Sequence, residues 1–227
     1  MRANGLLVAN NSTFSFNQTS GDGGAISTSA GLEFAAVTID NNDALGGSGG
    51  GIHIGNNGGT LVNVTLSGNT ATEDGGGLIA NSGNVIITST TITGNEADDR
   101  GGGIRVGGSS VDLSNSILSG NTAATNDEIS GNFTSSNSRV GGLAGLNLGP
   151  LADNGGPVQT HALGAGSTAI DGGSAANPGD LDARGFDVTD GIRDQGAFEF
   201  GATNPNGPTT GTEAEFCLLY TSDAADE

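Results

Sequence analysis

Acidic side chains gather just ahead of the glycine runs of this chain, where they could bind a cation or act on a substrate. Glu73 and Asp74 precede one run, and Asp98, Asp99 and Arg100 precede the next. Carboxylate oxygens at this density suit calcium, so we predict a calcium site at Glu73, Asp74, Asp98 and Asp99, named here the acidic corner. Two alternatives stay open. One is a solvated acidic face, and the other is a glycan-cleaving site that uses Asp74, Asp99 and Arg100, because glycoside hydrolysis needs paired acids.

The segments that must position these acids are short repeats of about 26 residues. Each repeat contains an asparagine three residues after an apolar residue, at Asn17, Asn42, Asn69, Asn95 and Asn121. Each of the first four also contains a glycine run that ends in an aliphatic residue, at Ile26, Ile52, Leu78 and Ile104. A constant period of this length indicates stacked units, each too small to bury its own apolar face.

The residues between these landmarks favour short strands. Runs such as 64–66, 91–93 and 104–106 alternate β-branched or aliphatic residues with polar ones, and no helical period is present before residue 200. We therefore predict an all-β fold, a right-handed, single-stranded parallel β-helix of about five coils. The right hand follows the general preference of crossovers between parallel strands.

The repeat alignment also predicts which side chains stack on one another, about 4.8 Å apart along the axis. Two aliphatic columns should point inward: Ile26 with its equivalents, and Phe14, Ile39, Leu66, Ile92 and Leu118. The asparagines should form a hydrogen-bonded ladder at a bend. One residue before the second aliphatic column, Thr13, Thr38, Thr65 and Thr91 should line an outer face. In the acidic corner, Asp74 should pair with Arg100, and Glu73 should lie beside Asp99.

Two stretches resemble a known family. The first coil contains Phe14 with Asn17, and the run 23–26, which are similar to the repeats of polymorphic outer membrane proteins. Residues 149–163 and 166–171, the Arg184-Gly185 step and residues 194–199 resemble the C-terminal module of bacterial choice-of-anchor Q β-helix proteins. The resemblance spans roughly residues 10 to 200. It implies a secreted or surface-attached right-handed β-helix with a variable sorting anchor, and it implies no established catalytic site.

These patterns divide the chain into three parts: β-helix coils at 1–142, a turn-rich module at 143–200 that closes the rod, and a tail at 201–227. The tail begins as a linker rich in Gly, Asn, Pro and Thr. Its last residues resemble translated sequencing-adapter sequence, so we expect them to be non-native and disordered. No signal peptide precedes the first coil and no anchor follows the module, so we expect the natural protein to be longer at its N-terminus.

The composition excludes several classes of partner. The formal net charge is −19, with six arginines and no lysine, so the chain cannot neutralise the phosphates of nucleic acid or of anionic lipid. No apolar stretch is long enough to span a membrane. The 43 glycines among 227 residues are typical of a thin, turn-rich rod. The single cysteine, Cys217, lies in the tail, so the domain contains no disulfide.

Taken together, these features favour a non-catalytic secreted or cell-surface scaffold, adhesin-like and monomeric. We expect it to bind an extracellular glycan or a surface protein, with the outward threonine and asparagine columns contacting sugar hydroxyl groups. Calcium is the one cofactor that the sequence suggests. The alternative function is a polysaccharide lyase or glycoside hydrolase acting on an extracellular glycan. His161, in the module, is expected to be a buried, hydrogen-bonded structural residue.

Overall fold

The predicted β-helix is confirmed. The computed structural model describes residues 1–3 and 5–205, and these residues form strands and turns with no helix. Three parallel sheets wind through about five turns. No helix among these residues is long and apolar enough to cross a membrane. Most of the predicted tail, including Cys217, lies outside the described residues.

The sheets follow one another in every coil. Sheet 1 consists of the strands Arg2–Ala3, Ile26–Thr28, Ile52–Ile54, Leu78–Ala80, Ile104–Val106 and Ile129–Ser130. Sheet 2 consists of the strands Leu7–Ser15, Leu32–Asp40, Gly59–Ser67, Asn84–Thr88, Thr91–Thr93, Ser110–Ser114, Ile117–Leu118, Phe133–Ser136 and Arg139–Val140. Sheet 3 consists of the strands Gln18–Thr19, Asp43–Ala44, Thr70–Ala71, Glu96–Arg100 and Thr122–Thr125.

Sheet 2 bends once in each coil, at a column of residues in the left-handed region of the backbone. The column consists of Asn11, Ala36, Asn63, Ser89, Asn115 and Asn137, with φ between 46° and 55°. Asparagine tolerates this conformation better than other residues with a side chain, which explains why four of the six positions carry it. The bend divides sheet 2 into two halves that face different directions.

The glycine runs turn the chain from sheet 3 into sheet 1. Gly75 has a φ of 69°, and a Cβ there would lie 2.5 Å from the carbonyl oxygen of Leu78. A Cβ on Gly76 would lie 2.3 Å from the carbonyl oxygen of Glu96 in the next coil. Side chains are therefore excluded because successive coils touch through their main chains at this corner.

Both predicted aliphatic columns are confirmed. Ile52 pairs in register with Ile26 and Leu78, and Leu66 pairs with Ile39 and Ile92. All six side chains are fully buried in the core of the rod. The fold is thus stabilised by apolar burial repeated once per coil.

The asparagine ladder is confirmed and lies inside the rod. The Nδ2 of Asn42 donates to the Oδ1 of Asn69 at 2.9 Å, and the Nδ2 of Asn69 donates to the Oδ1 of Asn95 at 2.8 Å. Each Oδ1 also accepts the main-chain N–H of the preceding asparagine, as from Asn69 to Asn95 at 3.0 Å. The ladder ends at Asn121, whose Nδ2 donates to the carboxylate of Glu128 at 2.7 Å.

The module (143–200) contains one antiparallel hairpin, Leu148–Ala152 with Thr160–Leu163, and is otherwise built of turns. It packs along the side of the rod, against the second half of sheet 2. Thr38 donates to the carbonyl oxygen of Gln159 at 2.6 Å, and Thr91 accepts the N–H of Ala197 at 3.0 Å. An apolar cluster around Ile117 and Leu146 joins the two parts.

This docking overturns one prediction. The threonine column does point out of the coil, but Thr38, Thr65 and Thr91 are at most 1% exposed because the module covers them. Only Thr13 is exposed. The asparagines Asn42, Asn69 and Asn95 are fully buried in the ladder. The expectation that these two columns contact sugar hydroxyl groups is therefore wrong for every member that the module or the core buries.

Candidate functional site

The predicted pairing in the acidic corner is confirmed. The Nη2 of Arg100 lies 2.9 Å from the Oδ2 of Asp74, and the Nε of Arg100 donates to Oδ1 at 3.1 Å. The Nε of Arg105, on sheet 1 of the same coil as Arg100, lies 3.4 Å from the same Oδ2. Two guanidinium groups therefore hold the Asp74 carboxylate, an arrangement suited to fixing the corner rather than to transferring a proton.

The remaining acids of the corner are exposed. The N–H of Asp99 donates to the carbonyl oxygen of Glu73 at 2.9 Å, which confirms that these two residues are neighbours. The carboxylate of Glu73 accepts the hydroxyl of Ser48 at 3.1 Å. In the described part of the chain, no three acidic, histidine or cysteine side chains are grouped so that they could hold a metal. The calcium site and the glycan-cleaving alternative both stay predictions.

His161 has the hydrogen-bonded structural role expected from the sequence, but it is half-buried rather than buried. Its Nδ1 lies 2.8 Å from the carbonyl oxygen of Gly149, which can only accept. Nδ1 must therefore carry the proton, and Nε2 then accepts the hydroxyl of Ser67 at 2.9 Å. Burial lowers the pKa of His161. The ring thus joins the module to sheet 2 in its neutral form.

A buried ionic network holds the module together, and reasoning from the sequence identified its residues only as family motifs. The guanidinium of Arg184 lies between the rings of Phe186 and Phe198, at 4.4 Å and 3.8 Å from their centroids. Its Nη2 lies 2.6 Å from the Oδ2 of Asp182 and donates to the carbonyl oxygen of Glu199 at 2.7 Å. One signal could have revealed the network, namely a single Arg-Gly step among aspartates and phenylalanines in a turn-rich segment.

Two further carboxyl groups are buried beside this network. The Oε2 of Glu199 accepts the N–H of Asp194 at 2.9 Å, and Asp194 accepts the N–H of Asp171 at 2.8 Å. Burial raises the pKa of Glu199 to about 8, and the neighbouring carboxylates add to the rise. Burial also raises the pKa of Asp194.

A cleft of about 470 Å³ runs between the bend of sheet 2 and the module. Its volume lies within the range of small-ligand sites. Its lining includes, from the rod, Asn11, Ala36 and Asn63, and from the module, Leu181, Arg184 and Phe186. The cleft therefore offers amide groups on one wall and an apolar ring on the other.

The wall of the cleft contains an unpaired polar atom. The Nδ2 of Asn63 donates to the carbonyl oxygen of Leu181 at 3.0 Å, while its Oδ1 is buried and has no hydrogen-bond partner in the described structure. Asn11, two coils from Asn63, carries an exposed amide. Ala36 lies between them on the intervening coil, so the two amides flank a gap in the rod-side wall, named here the floor of the cleft.

Comparison with known proteins agrees with this architecture. A family model described as a right-handed β-helix region matches residues 1–154. Neither the curated proteins nor the solved structures gave a match. The matched residues contain the coils, the asparagine ladder and the first part of the module. The chain is therefore a member of the right-handed β-helix family.

Proposed function

We propose that this protein is a non-catalytic, secreted or cell-surface β-helix scaffold that binds a neutral extracellular glycan in the cleft between sheet 2 and the module. The cleft is the observation that carries the proposal. It combines amide donors and acceptors with the ring of Phe186, and such a mixture of a few polar groups on apolar walls is typical of ligand sites.

The charges of the protein favour a neutral ligand. The formal net charge of −19 repels polyanions. Arg184, the one cation among the described residues that line the cleft, is already paired with Asp182. The exposed amide of Asn11 can both donate hydrogen bonds to hydroxyl groups and accept them, and the Nδ2 of Asn63 has a second N–H besides the one bonded to Leu181. Two coils separate them, a spacing of roughly 10 Å along the axis, so the floor suits an extended chain of hydroxyl-bearing units.

The sequence supports the extracellular setting. Residues 149–199 resemble the module of choice-of-anchor Q proteins, which implies export and attachment to the cell surface. The absence of catalysis is part of the proposal, because the carboxylate of Asp74 is held by two arginines. Calcium at the acidic corner would add stability without taking part in binding.

Binding of soluble neutral polysaccharides, such as glucans, mannans and galactans, tests the proposal. We expect Asn11→Gly to weaken binding about threefold to tenfold, the effect of removing one ordinary hydrogen bond. Glycine keeps the positive φ of 48°, so the bend of sheet 2 should survive. Asn137→Gly is the matched control, because Asn137 occupies the same column at a φ of 47° and is not in the cleft wall.

Three results would contradict the proposal. No binding of any neutral polysaccharide would remove the proposed ligand class. Equal loss of binding in Asn11→Gly and Asn137→Gly would show that the cleft is not the site. New reducing or unsaturated chain ends in the same incubations would show catalysis, and Asp74→Ala would then test whether the acidic corner performs it.

A further inference from the structure

Three carboxyl groups and one guanidinium are buried together behind the wall of the cleft. Asp182, Asp194 and Glu199 are 6%, 2% and 4% exposed, and Arg184 is 9% exposed. Three negative charges beside one positive charge would be unstable in such a place. At least one of the three acids must therefore be neutral or unusually well hydrogen-bonded.

The hydrogen bonds identify which acid lacks support for a charge. The carboxylate of Asp182 accepts three hydrogen bonds: from the main-chain N–H of Arg184, from the guanidinium of Arg184 and from the main-chain N–H of Glu199. Asp194 accepts two main-chain N–H groups, from Asp171 at 2.8 Å and from Phe200 at 2.6 Å. These donors stabilise both groups as carboxylates.

Glu199 differs from the other two acids. Its Oε2 accepts one N–H, from Asp194, and its Oε1 is buried without a partner among the described residues. The charged groups that act on it are the carboxylates of Asp182, Asp190 and Asp194. Arg184 contacts the main-chain carbonyl of Glu199 at 2.7 Å rather than its carboxyl group. A proton on Oε1 is the arrangement that this environment favours.

The segment that carries Glu199 also attaches the module to the rod. The N–H of Ala197 donates to the hydroxyl of Thr91 at 3.0 Å, and the N–H of Gly196 donates to the carbonyl oxygen of Asn115 at 2.9 Å. The main-chain N–H of Glu199 donates to Asp182 at 3.2 Å, and Asp182 lines the cleft together with Arg184. A change at Glu199 is therefore transmitted directly to the cleft wall.

We propose that Glu199 is a proton-operated latch, which holds the module against sheet 2 while its carboxyl group is neutral and releases the cleft wall when the proton leaves. The step transfers one proton from Oε1 to solvent and leaves a buried carboxylate facing three others. The link to ligand binding rests on the function proposed above, whereas the latch itself does not.

The direction of the pH effect follows from the raised pKa. A Glu side chain in the opened module would titrate near its ordinary value of 4.5, while in the closed module it titrates near 8. The closed state therefore binds the proton more tightly. The proton therefore favours closing, and its full effect on the equilibrium constant between the closed and opened module is present below about pH 4.5. This effect falls by about tenfold per pH unit between pH 5 and 8 and is lost above pH 8.

Amide hydrogen exchange of the full chain at pH 5 to 9 tests the latch. The readout is the protection factor of the amides at 194–200 in Glu199→Gln divided by that in the wild type at the same pH, so intrinsic exchange rates cancel. Glutamine keeps the size of the side chain and stays neutral. We expect the ratio to rise about tenfold per unit from pH 5 to 8 and then to level off. Glu128→Gln is the matched control, because burial also raises the pKa of Glu128 at the distant end of the asparagine ladder.

The outcomes separate the latch from the proposed function. A flat ratio, or the same rise in Glu128→Gln, would overturn the latch. If Glu199→Gln fails to fold, titration of Glu199 by carbonyl NMR in the wild type decides instead, with a midpoint near 8 expected and one near 4.5 overturning the proposal. If the exchange ratio rises as expected but no neutral polysaccharide binds at any pH, only the proposed function is contradicted.

Discussion

Replacing Asn69 by alanine should strongly destabilise the rod, because Asn69 lies at the middle of the ladder. Its side chain makes four hydrogen bonds. The Oδ1 accepts the N–H and the Nδ2 of Asn42, at 3.1 and 2.9 Å. The Nδ2 donates to the carbonyl oxygen of Ile39 at 2.9 Å and to the Oδ1 of Asn95 at 2.8 Å.

The size of the effect follows from which partners are left unpaired. Asn69→Ala leaves the buried N–H of Asn42 without an acceptor. The Oδ1 of Asn95 is less affected, because it still accepts the hydrogen bond from the main-chain N–H of residue 69. Four bonds at about 1 kcal/mol each, in a site fully shielded from water, give a loss of about 4 kcal/mol in the free energy of unfolding. For a chain of this size the loss corresponds to a fall in Tm of roughly 8 to 16 °C.

Asn17→Ala is the control, since Asn17 is an exposed end of the same ladder. Its Nδ2 donates to the carbonyl oxygen of Ser15 and to the Oδ1 of Asn42, at 3.2 and 2.9 Å. Water can replace these bonds, so we expect a loss below about 1 kcal/mol. Thermal and urea unfolding followed by circular dichroism would measure both variants. Similar losses in the two variants would refute the idea that burial makes the ladder stabilising.

Three other predictions concern the acidic corner and the module. We expect millimolar calcium to raise Tm relative to chelator, and an unchanged Tm would leave the carboxylates of the acidic corner as a solvated face. Arg184→Lys should destabilise the module by about 3 kcal/mol, since lysine cannot reproduce the stacked guanidinium with its several hydrogen bonds. Arg100→Lys is the control, because the side chain of Arg100 is half exposed, and it should change stability by less than about 1 kcal/mol. The wild type should lose stability below about pH 6.5, because the half-buried ring of His161 has a lowered pKa and takes up a proton less readily than it does in the unfolded chain. His161→Phe should remove this loss of stability. If the wild type and His161→Phe lose stability in parallel on acidification, the assignment of a neutral, half-buried His161 is wrong.

The interior of the rod could be predicted from the sequence because it repeats. A period of 26 residues places Ile26, Ile52 and Leu78 in one column, and the register of the strands follows directly. The same alignment placed Arg100 next to Asp74. In a solenoid every contact between neighbouring coils occurs at a fixed sequence separation, so one alignment predicts many contacts.

The position of the module could not be predicted in this way. Thr38 bonds to Gln159 across 121 residues, and Ser67 contacts His161 across 94, separations that no period relates. The sequence showed an outward threonine column but not what covered it. Nor could composition show that Glu199, one of 25 acidic residues, is buried with too few donors to carry a charge.

The places where the repeat is broken mark the surface that the module uses. Ala36 stands in a column of asparagines and a serine, with a φ of 53° that costs an alanine roughly 1–2 kcal/mol. Its small side chain packs against the cluster of Val158, Ala183 and Ala197, where a larger polar side chain would leave an amide buried against apolar atoms. The strain is therefore offset by docking of the module, and the same alanine opens the floor of the cleft between Asn11 and Asn63. One departure from the repeat thus both admits the module and shapes the proposed binding site.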